Sequence, residues 1–467
     1  MAFNSVIYAL FLPVVILLYW YVFARKLRIQ NVFLLIASYA FYACWDWRFL
    51  ALIIFTTLST FLTAKRAVKG RRRFWTGTNI VANLAILFVF KYFNFFAESF
   101  SQMMSAIGWE VDAVTLNVVL PVGISFYTFQ ALGYSIDVAR GQIKPSDDIV
   151  SFATFIAFFP QLVAGPIERA SSLLPQIERE RRFDYAEAVL GMRQILWGVV
   201  KKVAVADVCA VYVDRIFSQP DMYASEFGAS TLVLGAVLFA FQIYGDFSGY
   251  SDIAIGSARL LGIRLRQNFR YPYFSRSVAD FWGRWHISLT SWFRDYVYIP
   301  LGGNRRGKGR TYFNIIVVFL LSGLWHGANF TFIAWGAMWG VAYVVERMIF
   351  GKVKYTDEPR LRNILPMLGI FIVAVIGFAI FRSPSISFFG HYASLCASSS
   401  LFAVPSGLTA MAYVVPFIVI EWFGRKHDFA IESLSIPAWA RYLFYTFLLM
   451  VILFANSKPE TFIYFQF

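Results

Sequence analysis

Charge is what this 467-residue sequence has least of. Asp, Glu, Lys and Arg make up 15% of it, against about a quarter in soluble domains. Histidine is scarcer still, at four: His286, His326, His391 and His427. The three cysteines, Cys44, Cys209 and Cys396, lie far apart in hydrophobic stretches. That excludes a disulfide framework and leaves no Cys/His spacing for a metal. There is no Walker loop, no Rossmann glycine pattern and no G-x-S-x-G elbow. ATP hydrolysis, metalloproteolysis and soluble-type serine esterase chemistry therefore have no motif behind them. No tandem repeat appears at solenoid periods, and the halves lack the correspondence common in transporters.

What fills the chain is hydrocarbon. Apolar residues reach 59%, aromatics 19% with 51 Phe, and mean hydropathy is +0.60. Runs long enough to cross a bilayer, roughly 17–25 residues, begin near positions 6, 31, 49, 78, 114, 186, 229, 311, 329, 363, 408 and 440. The expected architecture is an all-α polytopic membrane protein with about a dozen spanning helices, forming a single membrane domain over 1–467. The Pro-flanked stretch 150–166 reads as re-entrant. No basic region or small-residue cleavage site accompanies the first run, so it reads as a span rather than a signal peptide.

The net charge of +15 would raise nucleic acid as a partner in a soluble protein. Its distribution argues otherwise. With the amino terminus outside, loops 25–30, 65–76, 137–185, 259–310, 347–362 and 424–439 fall inside and hold most of the 42 Lys and Arg. The opposite loop 98–112 has acids and no bases. This is positive-inside topology, and nucleic acid is not an expected partner.

Between the spans near 229 and 311 lies a cytoplasmic segment, 259–310, too polar to cross. Within it Phe281, Trp282, Trp285, Leu289, Trp292, Phe293 and Tyr296 recur at three- and four-residue steps, with Asp280, Arg284, Ser291 and Arg294 opposite. The pattern predicts one amphipathic helix lying in the membrane interface and ended by Ile299-Pro300. A plain anchor would explain the periodicity, though not His286 at the edge of the apolar arc.

His326 follows the apolar stretch 313–325 and precedes another. Ionisable groups at membrane depth are costly and commonly mark a cavity or a function. Two readings stand: a hydrogen-bonded helix-end residue, or a general base. Gly323 and Gly327 beside it leave room for a ligand or for close helix packing. Gln130, Asp246, Ser248 and Asp252 are further polar groups within or at the ends of hydrophobic runs. Asp246 reads equally as a buried structural carboxylate.

The ordered motifs resemble one family. They are Phe159-Pro160-Gln161-Leu162-Val163-Ala164-Gly165-Pro166-Ile167, Tyr244 to Asp252, Asp280-Phe281-Trp282-Gly283-Arg284-Trp285-His286-Ile287-Ser288-Leu289, and Arg294 to Gly303. Ser322-Gly323-Leu324-Trp325-His326-Gly327 and Phe462-Ile463-Tyr464-Phe465 complete the set. Together they resemble the membrane-bound O-acyltransferases, in the bacterial branch that O-acetylates alginate or D-alanylates teichoic acid. The resemblance implies helices around a thin central funnel, with His326 at the family's membrane histidine and His286 at its second position.

It further implies transfer of an acyl group from a cytoplasmic thioester, acetyl-CoA or an acyl-carrier protein, towards an extracytoplasmic polysaccharide such as alginate. A periplasmic partner of the SGNH-hydrolase type belongs to that picture. The setting is a bacterial inner membrane, with the amino terminus periplasmic and no bound cofactor or metal. Catalysis is expected of His326 and His286, and substrate contact of Trp325, Asn329, Ser322, Asp246, Gln130 and Arg294. D-alanyl transfer, peptidoglycan O-acetylation and, from another class, a glycan or lipid transporter are the alternatives.

Overall fold

The computed structural model describes residues 1–163, 165–217, 227–355, 357–397, 399–455 and 460–463; Ala164, Tyr464 and Phe465 of the sequence motifs lie outside them. Among the described residues every regular element is helical and none is a strand. Inside a bilayer no water meets unpaired backbone groups, so a lone segment must satisfy them within its own helix. Five helices are long and apolar enough to cross: Trp47–Lys69, Arg72–Ala106, Ala229–Leu260, Phe330–Phe350 and Leu361–Arg382. Five shorter apolar helices, Val6–Val22, Leu27–Ala43, Ile149–Leu162, Leu408–Gly424 and Ala438–Phe454, accompany them. The chain is an all-α membrane protein.

The run expected from about residue 114 departs from the sequence reading. Its helix starts only at Ile124 and ends at Ala139. Pro121 keeps the residue before it out of the α region, and Gly123 caps the helix at φ 73. A Cβ there would lie 2.7 Å from the Leu162 carbonyl oxygen. The Asn94 side chain donates to and accepts from the backbone of Leu116, at 2.9 and 2.8 Å, and so pairs the non-helical stretch. The 150–166 stretch is two short helices, Ile149–Ala157 and Phe159–Leu162, broken at Phe158 with ψ 107.

Contacts divide the chain into two compact units. The first comprises Ser5–Asp184 with Ala258–Leu265 and Met1. Side-chain amides and hydroxyls join its helices: the Thr60 hydroxyl donates to Asn79 at 3.1 Å, and the Asn79 amide donates to Ser135 at 2.9 Å. This links Leu50–Lys69, Arg72–Leu87 and Ile124–Ala139. Where lipid replaces water, interhelical bonds and close packing hold helices together.

The second unit comprises Tyr185–Ser257 and Arg266–Phe467 with Ala2–Asn4. Glycine sets its closest approaches. Gly245, Gly249 and Gly256 line one face of Ala229–Leu260, where added Cβ atoms would meet backbone oxygens of Lys201, Gly198 and Gly191 at 2.9, 2.7 and 2.5 Å. The hairpin Gly307–His326 and Phe330–Phe350 is tighter still. A Cβ on Gly323 would sit 2.2 Å from the Phe332 oxygen, and one on Gly336 2.3 Å from the Phe319 oxygen. A Cβ on Gly327 would lie 2.1 Å from the Phe332 ring. Of the two uses open to Gly323 and Gly327, close helix packing is the one they serve.

Gly336→Ala is therefore expected to force the hairpin apart and lower the melting temperature in detergent. Gly283→Ala, whose Cβ meets nothing within 4 Å, should leave it unchanged or raise it slightly. Equal melting temperatures for Gly336→Ala and the unmodified chain would refute the packing account.

Candidate active site

Periodicity predicts a continuous helix through residues 281–296; the structure breaks it at His286. Val278–Arg284 and Ile287–Phe293 are separate short helices, and His286 between them adopts φ 44 and ψ 52. The break is made from elsewhere in the chain. The Arg270 amide donates to the Arg284 carbonyl and the Ile287 amide to the Asn268 carbonyl, both at 2.9 Å. The Asn268 side-chain oxygen accepts from the Ser288 amide and hydroxyl, at 3.3 and 2.9 Å. Left-handed conformation is uncommon for a residue with a Cβ, and such conformations persist where the surroundings over-determine them.

Nor does the segment present an apolar stripe to lipid. Phe281, Trp282, Trp285, His286, Leu289, Trp292 and Phe293 are all buried within the second unit. Phe281 stacks between Trp339 and Trp285, with centroids at 4.8 and 5.6 Å. Glu346 fixes the start of Val278–Arg284 by accepting from the amides of Val278, at 2.5 Å, and Ala279, at 3.1 Å. A carboxylate at a helix amino terminus satisfies orphan donors and the dipole together. Glu346 belongs to Phe330–Phe350, so one side chain joins the His286 segment to the hairpin that carries His326.

His326 is the last residue of Gly307–His326. Its ring lies 4.9 Å from Trp325, 5.0 Å from Trp335, 5.3 Å from Phe381 and 6.4 Å from His286, centre to centre. His286 has Phe247 at 4.6 Å and Trp325 at 5.8 Å. Both histidines are buried, at 1% and 4% exposure for His286 and His326. Burial pushes the His286 imidazole down to about 3, because its charged form is poorly solvated there. Burial thus favours its neutral form.

The other sequence candidates separate. Trp325 packs against both histidines, and Ser322 is buried one turn before His326 on the same helix. Asn329 caps Phe330–Phe350 by accepting from the Thr331 amide, and its own amide donates to the Pro384 carbonyl. Arg294 is 62% exposed and pairs with Asp295 at 2.8 Å. Gln130 belongs to the first unit, where it donates to the Phe155 carbonyl at 3.2 Å.

Asp246 takes its structural alternative. It pairs with Lys202 at 2.9 Å and accepts from the Ile463 amide at 2.6 Å, while Lys202 also pairs with Asp207 at 2.7 Å and donates to the Glu460 carbonyl at 3.0 Å. Next to it Lys201 pairs with Asp252 at 2.5 Å. Sequence reasoning missed Lys201, Lys202, Asp207, Asn268 and Glu346. The dipeptide Lys201-Lys202 inside an apolar run was the one available signal.

With this geometry, the similarity to known proteins becomes specific. The model of the "MBOAT, membrane-bound O-acyltransferase family" matches residues 140–387, more than half of the chain. The chain belongs to the membrane-bound O-acyltransferase family. It is 38% identical to the probable alginate O-acetylase AlgI of Pseudomonas syringae pv. tomato, covering 91% of this chain and 82% of that protein. It is 34% identical to the peptidoglycan O-acetyltransferase of Helicobacter pylori, over 72% and 68% of the two chains. The teichoic acid D-alanyltransferase of Streptococcus thermophilus is 29% identical over 62% and 75%. This acyltransferase is thus an enzyme, and the transporter alternative falls away.

Two expectations follow for the acyltransferase. Breaking a buried pair from one side costs about 3–5 kcal/mol, so Lys202→Met should abolish folded yield. The triple variant with Asp207→Asn and Asp246→Asn should recover most of it; an equally poor yield would count against the pairing as the cause. For His286, the folded value lies below the unfolded value of about 6.5. Below that pH the unfolded chain takes up a proton that the fold refuses, so stability falls on acidification by up to ~1.4 kcal/mol per pH unit. His286→Gln should show a shallower loss of melting temperature between pH 6.5 and 5 than the unmodified chain, and an identical slope would refute the neutral buried ring.

Proposed function

We propose that this acyltransferase moves an acetyl group from cytoplasmic acetyl-CoA across a bacterial inner membrane for the O-acetylation of an exopolysaccharide of the alginate type. The proximity of two buried histidines, 6.4 Å between ring centres, supports this reading most directly. The likeness to probable alginate O-acetylases over 91% of the chain supports the acceptor class.

In the proposed reaction His326 removes the proton from an acceptor hydroxyl as its oxygen attacks the thioester carbonyl. The carbon–sulfur bond then breaks, the new ester forms, and the departing thiolate recovers a proton from the imidazolium. General-base assistance of this kind contributes about 10²–10⁴-fold. His286, held neutral, donates a ring N–H to the oxyanion or orients the thioester. The amino terminus faces the periplasm, and the acceptor hydroxyl belongs to the polysaccharide or to a periplasmic SGNH-type partner that carries the group onward. The aromatic shell of Trp325, Trp335 and Phe381 excludes water that would otherwise hydrolyse the thioester.

His326→Ala, checked for normal membrane insertion, should reduce acetyl transfer by at least ~100-fold; wild-type polymer acetylation in that variant would overturn the assignment. His286→Ala is expected to lose activity by a smaller factor. An unchanged rate of acetyl-CoA consumption would remove His286 from the site.

A further inference from the structure

One cavity of the second unit is lined by neither His286 nor His326. It has a volume of about 390 Å³, and Phe241, Met367, Leu368, Phe371, Phe417 and Phe423 are among the residues lining it. Its walls come chiefly from two apolar helices, Leu361–Arg382 and Leu408–Gly424. Inner wall residues Phe241, Met367 and Phe417 are buried, while Leu361, Ile364, Leu368 and Phe423 on its rim are exposed. It is therefore an open cleft. A cleft open to hydrocarbon and left empty forfeits the dispersion contacts of its whole lining, so acyl chains fill it.

Acyl chains alone would not be selected, since the bilayer offers them the same environment. Selection has to come from the mouth. Arg360 and Arg362 flank the lining residue Leu361, and Arg425 and Lys426 follow the lining residues Trp422 and Phe423. The two mouth loops are tied together: the Arg425 guanidinium donates to the Pro359 carbonyl at 2.9 Å and lies 3.9 Å over the Trp422 ring. Four carboxylates near the cleft have partners of their own, Glu421 in its lining accepting from the Tyr244 hydroxyl at 2.8 and 3.0 Å. Asp357 pairs with Arg276 at 3.1 Å, Glu358 with Arg270 at 2.9 Å, and Glu432 accepts from the Asp428 amide at 2.7 Å. Asp357 also feels the charge of Arg360, whereas among the described residues no carboxylate forms an ion pair with Arg362, Arg425 or Lys426. Arg360, Arg362 and Lys426 are exposed. A largely apolar cleft between membrane helices with exposed cations at its end matches a lipid with hydrocarbon tails and an anionic headgroup.

We infer that this cleft seats an anionic phospholipid of the surrounding bilayer, its tails between the helices Leu361–Arg382 and Leu408–Gly424 and its phosphate held by Arg360, Arg362 and Lys426. The site is separate from the acyl-transfer reaction and needs no assumption about His326 or His286. It would anchor the loops 351–363 and 425–437 to the membrane surface.

The test uses the full chain, purified in mild detergent and exposed to equal amounts of phosphatidylglycerol and phosphatidylcholine, with retained phospholipid quantified by mass spectrometry. The unmodified protein should retain phosphatidylglycerol over phosphatidylcholine by roughly fivefold or more. Arg362→Glu with Lys426→Glu should bring the two lipids to parity. Leu368→Trp, which fills the cleft from a half-exposed rim position, should lower retention of both. Monodisperse elution of each variant establishes that it is folded. No headgroup preference in the unmodified protein, or an undiminished preference in the charge-reversed variant, overturns the proposal. So does a photo-crosslink from position 423 that captures a protein, whether a second copy or another chain, in place of lipid.

Discussion

The closeness of two helix backbones at Gly323 and Gly336 is the constraint on which the site depends. In lipid, helices gain nothing from hiding hydrocarbon, so association rests on packing and polar contacts. Removing side chains along one seam lets Phe330–Phe350 meet Gly307–His326 at backbone distance. That seam fixes the end of the helix carrying His326 and sets Trp335 and Trp339 at the depth where Trp282 and Phe281 pack on them. The same helix supplies Glu346, whose carboxylate takes the amides that begin the His286 segment. Two histidines 40 residues apart in sequence are thus both referred to a single hairpin.

Buried charge serves a second purpose in this protein. An ionisable residue at membrane depth is by default a candidate functional group, and Asp246 met that description. Its partners show a different use. Lys202 faces Asp246, Asp207 and the Glu460 carbonyl, and Asp246 in turn receives the Ile463 amide. The cluster ties the chain's last described residues to Ala229–Leu260. Glycines at 245 and 249 bring the helix backbones near enough for these short reaches. Both oxygens of the Asp246 carboxylate are engaged within the protein, one by Lys202 and one by the Ile463 amide.

The all-α membrane character was legible because hydropathy is local, although the apolar run near 114 becomes helical only at Ile124. His326 was legible for the same reason, as a titratable ring in an apolar run. The break at His286 was not. Phe281, Trp285, Leu289, Trp292 and Tyr296 keep helical period straight across it, and aromatic burial needs that period on both sides. The force that interrupts it comes from Asn268 and Arg270, whose backbone groups pair with 284–287, and nothing in residues 281–296 announces them. Lys202, Glu346 and Asn268 were missed alike, since each acts on residues distant in sequence. The exposed position of Arg294 agrees with its place opposite the apolar arc, whereas the capping role of Asn329 follows from the end of an element, where periodicity carries least information.

The two histidines are held by opposite means, and that difference bears on their division of labour in the proposed reaction. His326 ends a 20-residue helix, so its position follows from a rigid rod wedged against its neighbour. His286 holds a left-handed backbone between two seven-residue helices, a conformation maintained by surrounding bonds at some cost. A general base must meet a proton whose position is set by the substrate, with little tolerance for misplacement, and the rod provides that. An oxyanion donor must be pre-aimed and already stripped of water to act at full strength. A buried imidazole on an over-determined turn suits that demand in the proposed reaction, since its backbone is fixed before any charge appears. A protonated ring would stabilise the anion more strongly, but burial makes that charge costly in the resting enzyme. In the proposed reaction this assigns a fixed dipole rather than a fixed charge to His286, and proton transfer to His326.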